Sequence, residues 1–333
     1  MADVGRRAGV SAQTVSRYVS GSGYVGEATR AKIASAIAEL GYRPHRAAGS
    51  LRGRHSGTVG VLTVGELVHG STQILTGQNR GARDLALTLL VAQVETEPGN
   101  EGWPAEVRRA VDHFLSAPVD GIIVVTSRAG VDELLEEARS EVPVINLSEY
   151  SRRGASGDPT HSYQAGLSAT RHLIECGHAS IVHVGGPRTR TEGLERERGY
   201  RDAMCEAGLA PVSIGDARDW SPAPGYEAGL AVDTSSFTGV FAANDELALG
   251  FLSAMERRGR RAPEDYSIVG VDDMPAARYF SPPLTTVRLD FQQLGRASVH
   301  VLHERVREGE SVSRPHIAPQ LVVRDSAGPP PAS

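Results

Sequence analysis

From residue 58 onward, short apolar runs alternate with longer stretches in which apolar residues recur at helical spacing. Thr58–Val64, Leu87–Val94, Gly121–Val125 and Pro143–Leu147 are β-rich runs bounded by turn residues, with helices predicted between them around Thr72–Leu85, Pro104–Leu115 and Val131–Ala138. The motif recurs after residue 160, with strands at Ser180–Val184, Gly239–Phe241 and Ser267–Val271 and helices near Tyr163–Cys176, Thr191–Ala207 and Asp245–Arg257. Such alternation implies parallel sheets with helices on both faces. Two series predict two α/β lobes, and ligands of open α/β sheets sit beyond the carboxyl ends of the strands. Leu284–Leu289 and Val312–Val323 are expected to cross back between the lobes, making each lobe discontinuous in sequence.

The first 56 residues follow a different rhythm. Val4, Ala8, Val10, Val15 and Val19 suit two short helices packed across a tight turn at Gly9, and Ser11 is a good N-cap for the second. Ile33, Ala36, Ile37 and Leu40 recur at helical spacing, so Glu27–Leu40 closes an all-α three-helix core, with Gly41 and Pro44 as stop signals. Gln13 and Arg17 lie four residues apart and share the helix face opposite Val15 and Val19. Gln bonds adenine and Arg bonds guanine through paired contacts, so this face is able to read bases in a major groove. The blander alternative is a small structural helix pair.

Charge separates the two readings. Residues 1–56 hold nine Arg or Lys against three acids, a net +6, whereas the whole chain carries −5 and the remainder therefore about −11. A cationic head on an acidic body is the footprint of a unit that meets phosphates. No stretch approaches the ~18 consecutive apolar residues of a membrane span, and the N-terminus does not read as a signal peptide, so a cytoplasmic protein without membrane attachment is expected. Cys176 and Cys205 are the two cysteines, read as ordinary thiols rather than as a disulfide or metal site. No cofactor is expected.

Candidate ligand chemistry falls where strands should end. Asn244-Asp245 follows Gly239–Phe241, Asp272-Asp273 follows Ile268–Val271, Arg196 lies in the helix Thr191–Ala207, and Trp220 sits in Asp-Trp-Ser. Carboxylate, amide and guanidinium groups bond sugar hydroxyls, and an indole covers the apolar face of a pyranose. Each has a plainer role available, since Asp272 or Asn244 could cap the next helix and Arg196 could form a surface ion pair. Paired carboxylates also raise an enzyme reading, but no nucleophile elbow, phosphate-binding glycine loop or metal spacing supports it. Gly185-Gly186-Pro187 reads as a strand-to-helix turn.

Three segments of the head carry a family resemblance: Ala-Asp-Val-Gly-Arg-Arg-Ala-Gly-Val-Ser-Ala-Gln-Thr-Val-Ser-Arg, then Thr-Arg-Ala-Lys-Ile, then Glu-Leu-Gly-Tyr-Arg-Pro-His-Arg-Ala-Ala. They resemble the lactose/galactose repressor family of bacterial transcription regulators, and the likeness continues through nearly the whole chain. The resemblance implies a helix-turn-helix head over residues 1–43, a hinge over 44–56, and a two-lobed core like that of periplasmic binding proteins over 57–326. Lobe 1 is expected at about 57–157 and 288–315, lobe 2 at about 158–287 and 316–326, and a disordered tail at 327–333. It implies DNA contacts from Ala12, Gln13, Thr14, Ser16, Arg17 and Tyr24 in the head, and from Arg46, Ala48 and Leu51 in the hinge, where Leu51 would wedge into the central base step. Gly49 weakens that hinge helix by up to about 1 kcal/mol relative to Ala.

The resemblance also implies inducer contacts from Asn244, Arg196, Asp272, Trp220 and Phe291. Val68-His69-Gly70-Ser71-Thr72-Gln73-Ile74 resembles the lactose branch of the family more than the purine or ribose branches, which puts Val68 and Ile74 on an apolar pocket wall. Gln164 stands where many relatives have an acid. The expected function is a homodimeric repressor on an inverted-repeat operator, released by a small sugar such as a galactoside. A corepressor-dependent regulator binding a purine is the alternative. No apolar heptads close the chain, so a tetramer is not expected.

Overall fold

The computed structural model describes residues 1–20, 23–42, 55–65, 67–95, 101–126, 130–147, 160–309 and 318–331. Arg46, Ala48 and Leu51 lie outside the described residues, as does Gly49. The chain forms two compact units, residues 1–57 and 58–333. The first holds helices α1 (Ala2–Ala8), α2 (Ala12–Ser20) and α3 (Glu27–Glu39) around buried Val4, Ala8, Val15, Val25, Ile33 and Ala36. Leu40, expected in that core, is instead 46% exposed just beyond the end of α3.

The second unit contains two sheets. Strands β1 (Thr58–Val64), β2 (Thr88–Val94), β3 (Gly121–Val125) and β4 (Val144–Asn146) form a parallel sheet in the order β2-β1-β3-β4. Helices α4 (His69–Asp84), α5 (Trp103–Ser116) and α6 (Glu136–Glu141) connect them. Alternate strand residues point to opposite faces. Ile122 and Val124 of β3 therefore pack with Val107, Val111 and Phe114 of α5, while Ile123 and Val125 join the cluster that holds Ile74 of α4.

Lobe 2 contains α7 (His161–Glu175), β5 (Ile181–Val184), α8 (Thr191–Glu206), β6 (Val212–Ile214), α9 (Pro222–Ala231), β7 (Gly239–Ala242), α10 (Asp245–Arg257), β8 (Ser267–Asp272) and β9 (Thr285–Arg288). After β9 the chain enters lobe 1 as α11 (Phe291–Glu308) and later returns as β10 (Gln320–Val322). The lobe 2 sheet runs β10-β9-β8-β7-β5-β6, parallel except for β10, which pairs antiparallel with β9. Thr285–Arg288 is thus an inner strand of lobe 2 as well as the approach to a crossing. Leu294, Val299 and Leu302 of α11 are buried against β1, β3 and α4. The backbones of α4 and α11 touch, since a side chain at Gly77 would clash with the Gln292 carbonyl and one at Gly295 with the Ile74 carbonyl.

The end of the chain corrects an expectation. Gly328, within the stretch expected to be a disordered tail, is instead held against lobe 2 by hydrogen bonds. The Gly328 carbonyl accepts from His178 Nε2 and Ser267 Oγ at 3.0 Å each, and its N–H donates to Ser267 Oγ at 2.9 Å. Just upstream, Ser326 is fully buried, donating to the Ile268 carbonyl and accepting from Thr285 N–H.

Candidate functional site

In the head, α1 ends at Gly9 with φ 68°, the left-handed conformation that lets the chain turn sharply into α2. Ser11 Oγ accepts from Thr14 N–H at 3.1 Å, satisfying one of the unpaired donors of the α2 N-terminus. With Val15 facing the core, Ala12, Gln13 and Arg17 are exposed and Thr14 and Ser16 half-buried. Tyr24, beyond α2, is 92% exposed. The face that carries Gln13 and Arg17 is therefore presented to solvent by a small rigid core.

In the second unit, a cleft of about 370 Å³ opens between the lobes at the carboxyl ends of the strands. Lobe 1 supplies an apolar wall of Val68 and Ile74, with Phe291 at the start of α11. Lobe 2 supplies Arg196, Trp220, Asn244 and Asp272. Seven of the eight residues expected to hold effector thus line one cleft. Gln164 does not. Thr160 caps α7 by accepting from Tyr163 N–H, which turns His161 and Ser162 of the first turn into the cleft, and Gln164 lies about 200° round the helix from Ser162.

Arg196 organises the polar wall. Its guanidinium donates to the Ala243 carbonyl at 2.5 Å and to Asp272 Oδ1 at 2.9 Å, with 4% of the side chain exposed. The guanidinium carbon lies 5.2 Å from the centre of the Trp220 ring, a cation–π arrangement. A side chain at Gly186 would overlap that indole, so glycine there lets the ring lie against backbone. Burial pushes the Asp272 carboxyl above the usual carboxylate range, and the Arg196 charge opposes the shift. Asp245 behind it is pushed up further, first by burial and then by the Asp272 charge. Asn244 fills its plainer role as well, since its Oδ1 caps α10 by accepting from Leu247 N–H and its Nδ2 donates to the Trp220 carbonyl.

Two lining residues also carry buried polar atoms without partners among the described residues, Arg196 Nε and Glu192 Oε2. Such atoms are costly unless something bonds them. Sequence reasoning missed His69, His161, Ser162, Arg190 and Glu192, which also line the cleft. Arg190 and Glu192 follow β5 and His69 follows β1, so the rule that ligands sit beyond strand ends would have found them. Among the described residues no group of three or more His, Cys, Asp or Glu could hold a metal ion, and no helix is long and apolar enough to cross a membrane.

Comparison with known proteins places both units. Residues 1–45 match the model of bacterial regulatory proteins of the lacI family, and residues 170–327 match a periplasmic binding protein-like domain. The chain is 32% identical to the HTH-type transcriptional repressor PurR of Haemophilus influenzae (strain PittEE), over 97% of each chain. It is 30% identical to the HTH-type transcriptional regulator AscG of Escherichia coli (strain K12), over 98% of this chain and 97% of that one. The structure of the lac repressor dimer bound to operator and the anti-inducer ONPF superposes with a TM-score of 0.84 at 28% identity, covering 98% of each chain. A complex of the transcriptional regulator CelR with cellobiose gives 0.68 at 28% identity, again covering 98% of each.

Proposed function

The chain belongs to the lacI family of bacterial regulatory proteins, and from that membership we propose a repressor whose hold on its operator is loosened by a small sugar bound between its lobes. It is a DNA-binding transcriptional repressor, not an enzyme. The observation that carries the effector reading is the buried Arg196–Asp272 pair set against the Trp220 ring in the interlobe cleft. Asp272 accepts from sugar hydroxyls, and the indole covers the C–H face of a pyranose. Val68, Ile74 and Phe291 take the apolar side of a galactoside or related glycoside. A sugar is supported by the similar regulator CelR, which is bound to cellobiose.

On DNA, two copies of the head meet the half-sites of an inverted repeat. Gln13 and Arg17 read base edges, Ala12, Thr14, Ser16 and Tyr24 contact the adjoining groove, Arg46 meets the backbone, and Ala48 and Leu51 enter the minor groove at the centre. Ligand shifts the equilibrium only by its differential affinity for the two states, typically about 1–3 kcal/mol.

A purine-like heterocycle acting as corepressor is the second reading. It is favoured by the two aromatic rings of the cleft, Trp220 and Phe291, and by a carboxylate, Asp272, that would accept from a ring N–H. Titration of galactosides, glucosides and cellobiose against hypoxanthine and guanine, read by Trp220 emission in a Trp103→Phe background, separates the two. A response to purines and to no sugar replaces the sugar reading with the second.

A further inference from the structure

Asp272 and Asp273 are neighbours in sequence with different partners. Asp272 lines the cleft and pairs with Arg196. Asp273, with 7% of its side chain exposed, accepts from Arg288 Nη2 and Nε at 2.6 and 2.7 Å through Oδ2, and from Arg324 Nη2 through Oδ1. Arg288 is the last residue of β9, two residues before Asp290, which caps α11 in lobe 1 by accepting from Gln293 N–H. Arg324 follows β10, where the chain has come back from lobe 1, and also donates to the Leu284 carbonyl at 2.6 Å. One carboxylate therefore grips the chain as it leaves lobe 2 and again after it returns.

The backbone between the two acids is itself unusual. Asp272 has φ 112° and Asp273 φ 50°, and Ala86 is the one other non-glycine with positive φ among the described residues. Such conformations persist only where the surroundings over-determine them. The Asp273 N–H donates to Thr286 Oγ1 at 3.3 Å, and that hydroxyl donates to buried Asp245 at 2.5 Å, so the dipeptide is held from both sides. The peptide linking the acids is planar, so a shift of Asp272 on its Arg196 partner can reach Asp273 only through the torsions on either side of it.

We infer that Asp273 is a positioning residue that couples the effector cleft to both chain crossings and thereby sets the angle between the lobes. The inference rests on reading the cleft as the effector site. Its test uses no ligand, so its outcome is independent of which effector class the cleft takes.

Spin labels at Cys205 in lobe 2 and at Arg83→Cys in lobe 1, in a Cys176→Ser full-length chain mixed with excess unlabelled chain, report the interlobe distance. Operator affinity is measured on the same variants. Asp273→Asn should shift and broaden the distance distribution and change operator affinity by about five-fold or more. Asp273→Glu should restore much of both, and Asp84→Asn, which breaks an ion pair to Arg296 within lobe 1, should leave both unchanged. Arg288→Gln and Arg324→Gln should each move the distribution in the same direction as Asp273→Asn, which keeps the test open if that variant fails to fold. Distances and operator affinity as in Asp84→Asn, whatever the thermal stability, would overturn the inference.

Discussion

Replacing Arg196 by Met tests the polar wall as a coupled unit. The substitution keeps much of the apolar stem but removes donations to the Ala243 carbonyl at 2.5 Å and to Asp272 at 2.9 Å. Hydrogen bonds to charged groups contribute about 1.5–3 kcal/mol, and stranding one partner of a buried pair costs about 3–5 kcal/mol in all. With side-chain exposures of 4% and 12%, the Arg196–Asp272 pair belongs in that buried regime. Asp272→Asn strands the guanidinium in turn, whereas the double variant leaves no buried charge from the pair. The double should therefore cost less than the sum of the singles by at least about 2 kcal/mol. Urea unfolding followed by Trp220 emission, in a Trp103→Phe background, measures lobe 2 directly. The pH dependence adds a sign. Burial already raises the Asp272 carboxyl, and loss of the opposing charge raises it further. A raised folded-state value favours the fold at low pH and is lost as pH rises through it, so Arg196→Met should cost less at pH 5 than at pH 8. Additive single costs, to within about 0.5 kcal/mol, with no dependence on pH would refute the reasoning.

His183, fully buried between Tyr200 and Phe241, is held down to about 4 by burial, against 6.5 when unfolded. Its contribution is complete above pH 6.5 and falls away toward pH 4 by up to about 3 kcal/mol, so His183→Gln should flatten the acid limb of the stability–pH curve measured by urea unfolding. A side chain at Gly199 would clash with the Tyr163 carbonyl where α7 and α8 touch, so Gly199→Ala should destabilise by about 1–3 kcal/mol or more in thermal unfolding. Arg17→Ala should weaken operator binding by about 1–3 kcal/mol and flatten preference at one base position, measured against a panel of operator variants. A uniform loss across the panel would mean that Arg17 meets phosphate only.

Elements with full side-chain patterning were legible in sequence. Thr58–Val64, Gly121–Val125 and Asp245–Arg257 have the bounds their periodicity predicts, because strand runs buried on both faces and a wide helical stripe leave little ambiguity. Helix Phe291–Glu308 was missed because part of its buried stripe is Gly295 and Ser298, where backbone meets backbone instead of side chain meeting side chain. Pro222–Ala231 was missed for a similar reason: Gly225 and Gly229 face α10 and look like turn residues, while Pro222 occupies a helix start where proline is favoured. Asn244 and Asp272 stood out because they end strands. His161 and Ser162 did not, since their access to the cleft depends on the rotation that the Thr160 cap imposes on α7.

The most direct test of the account measures operator binding by fluorescence anisotropy in titrations with the sugar that most perturbs Trp220 emission. Operator affinity should fall by about five-fold or more at saturating sugar. Arg196→Ala and Asp272→Ala should still bind operator, yet fail to release it with sugar. A sugar that occupies the cleft without changing operator affinity, or release that persists in both variants, would contradict it.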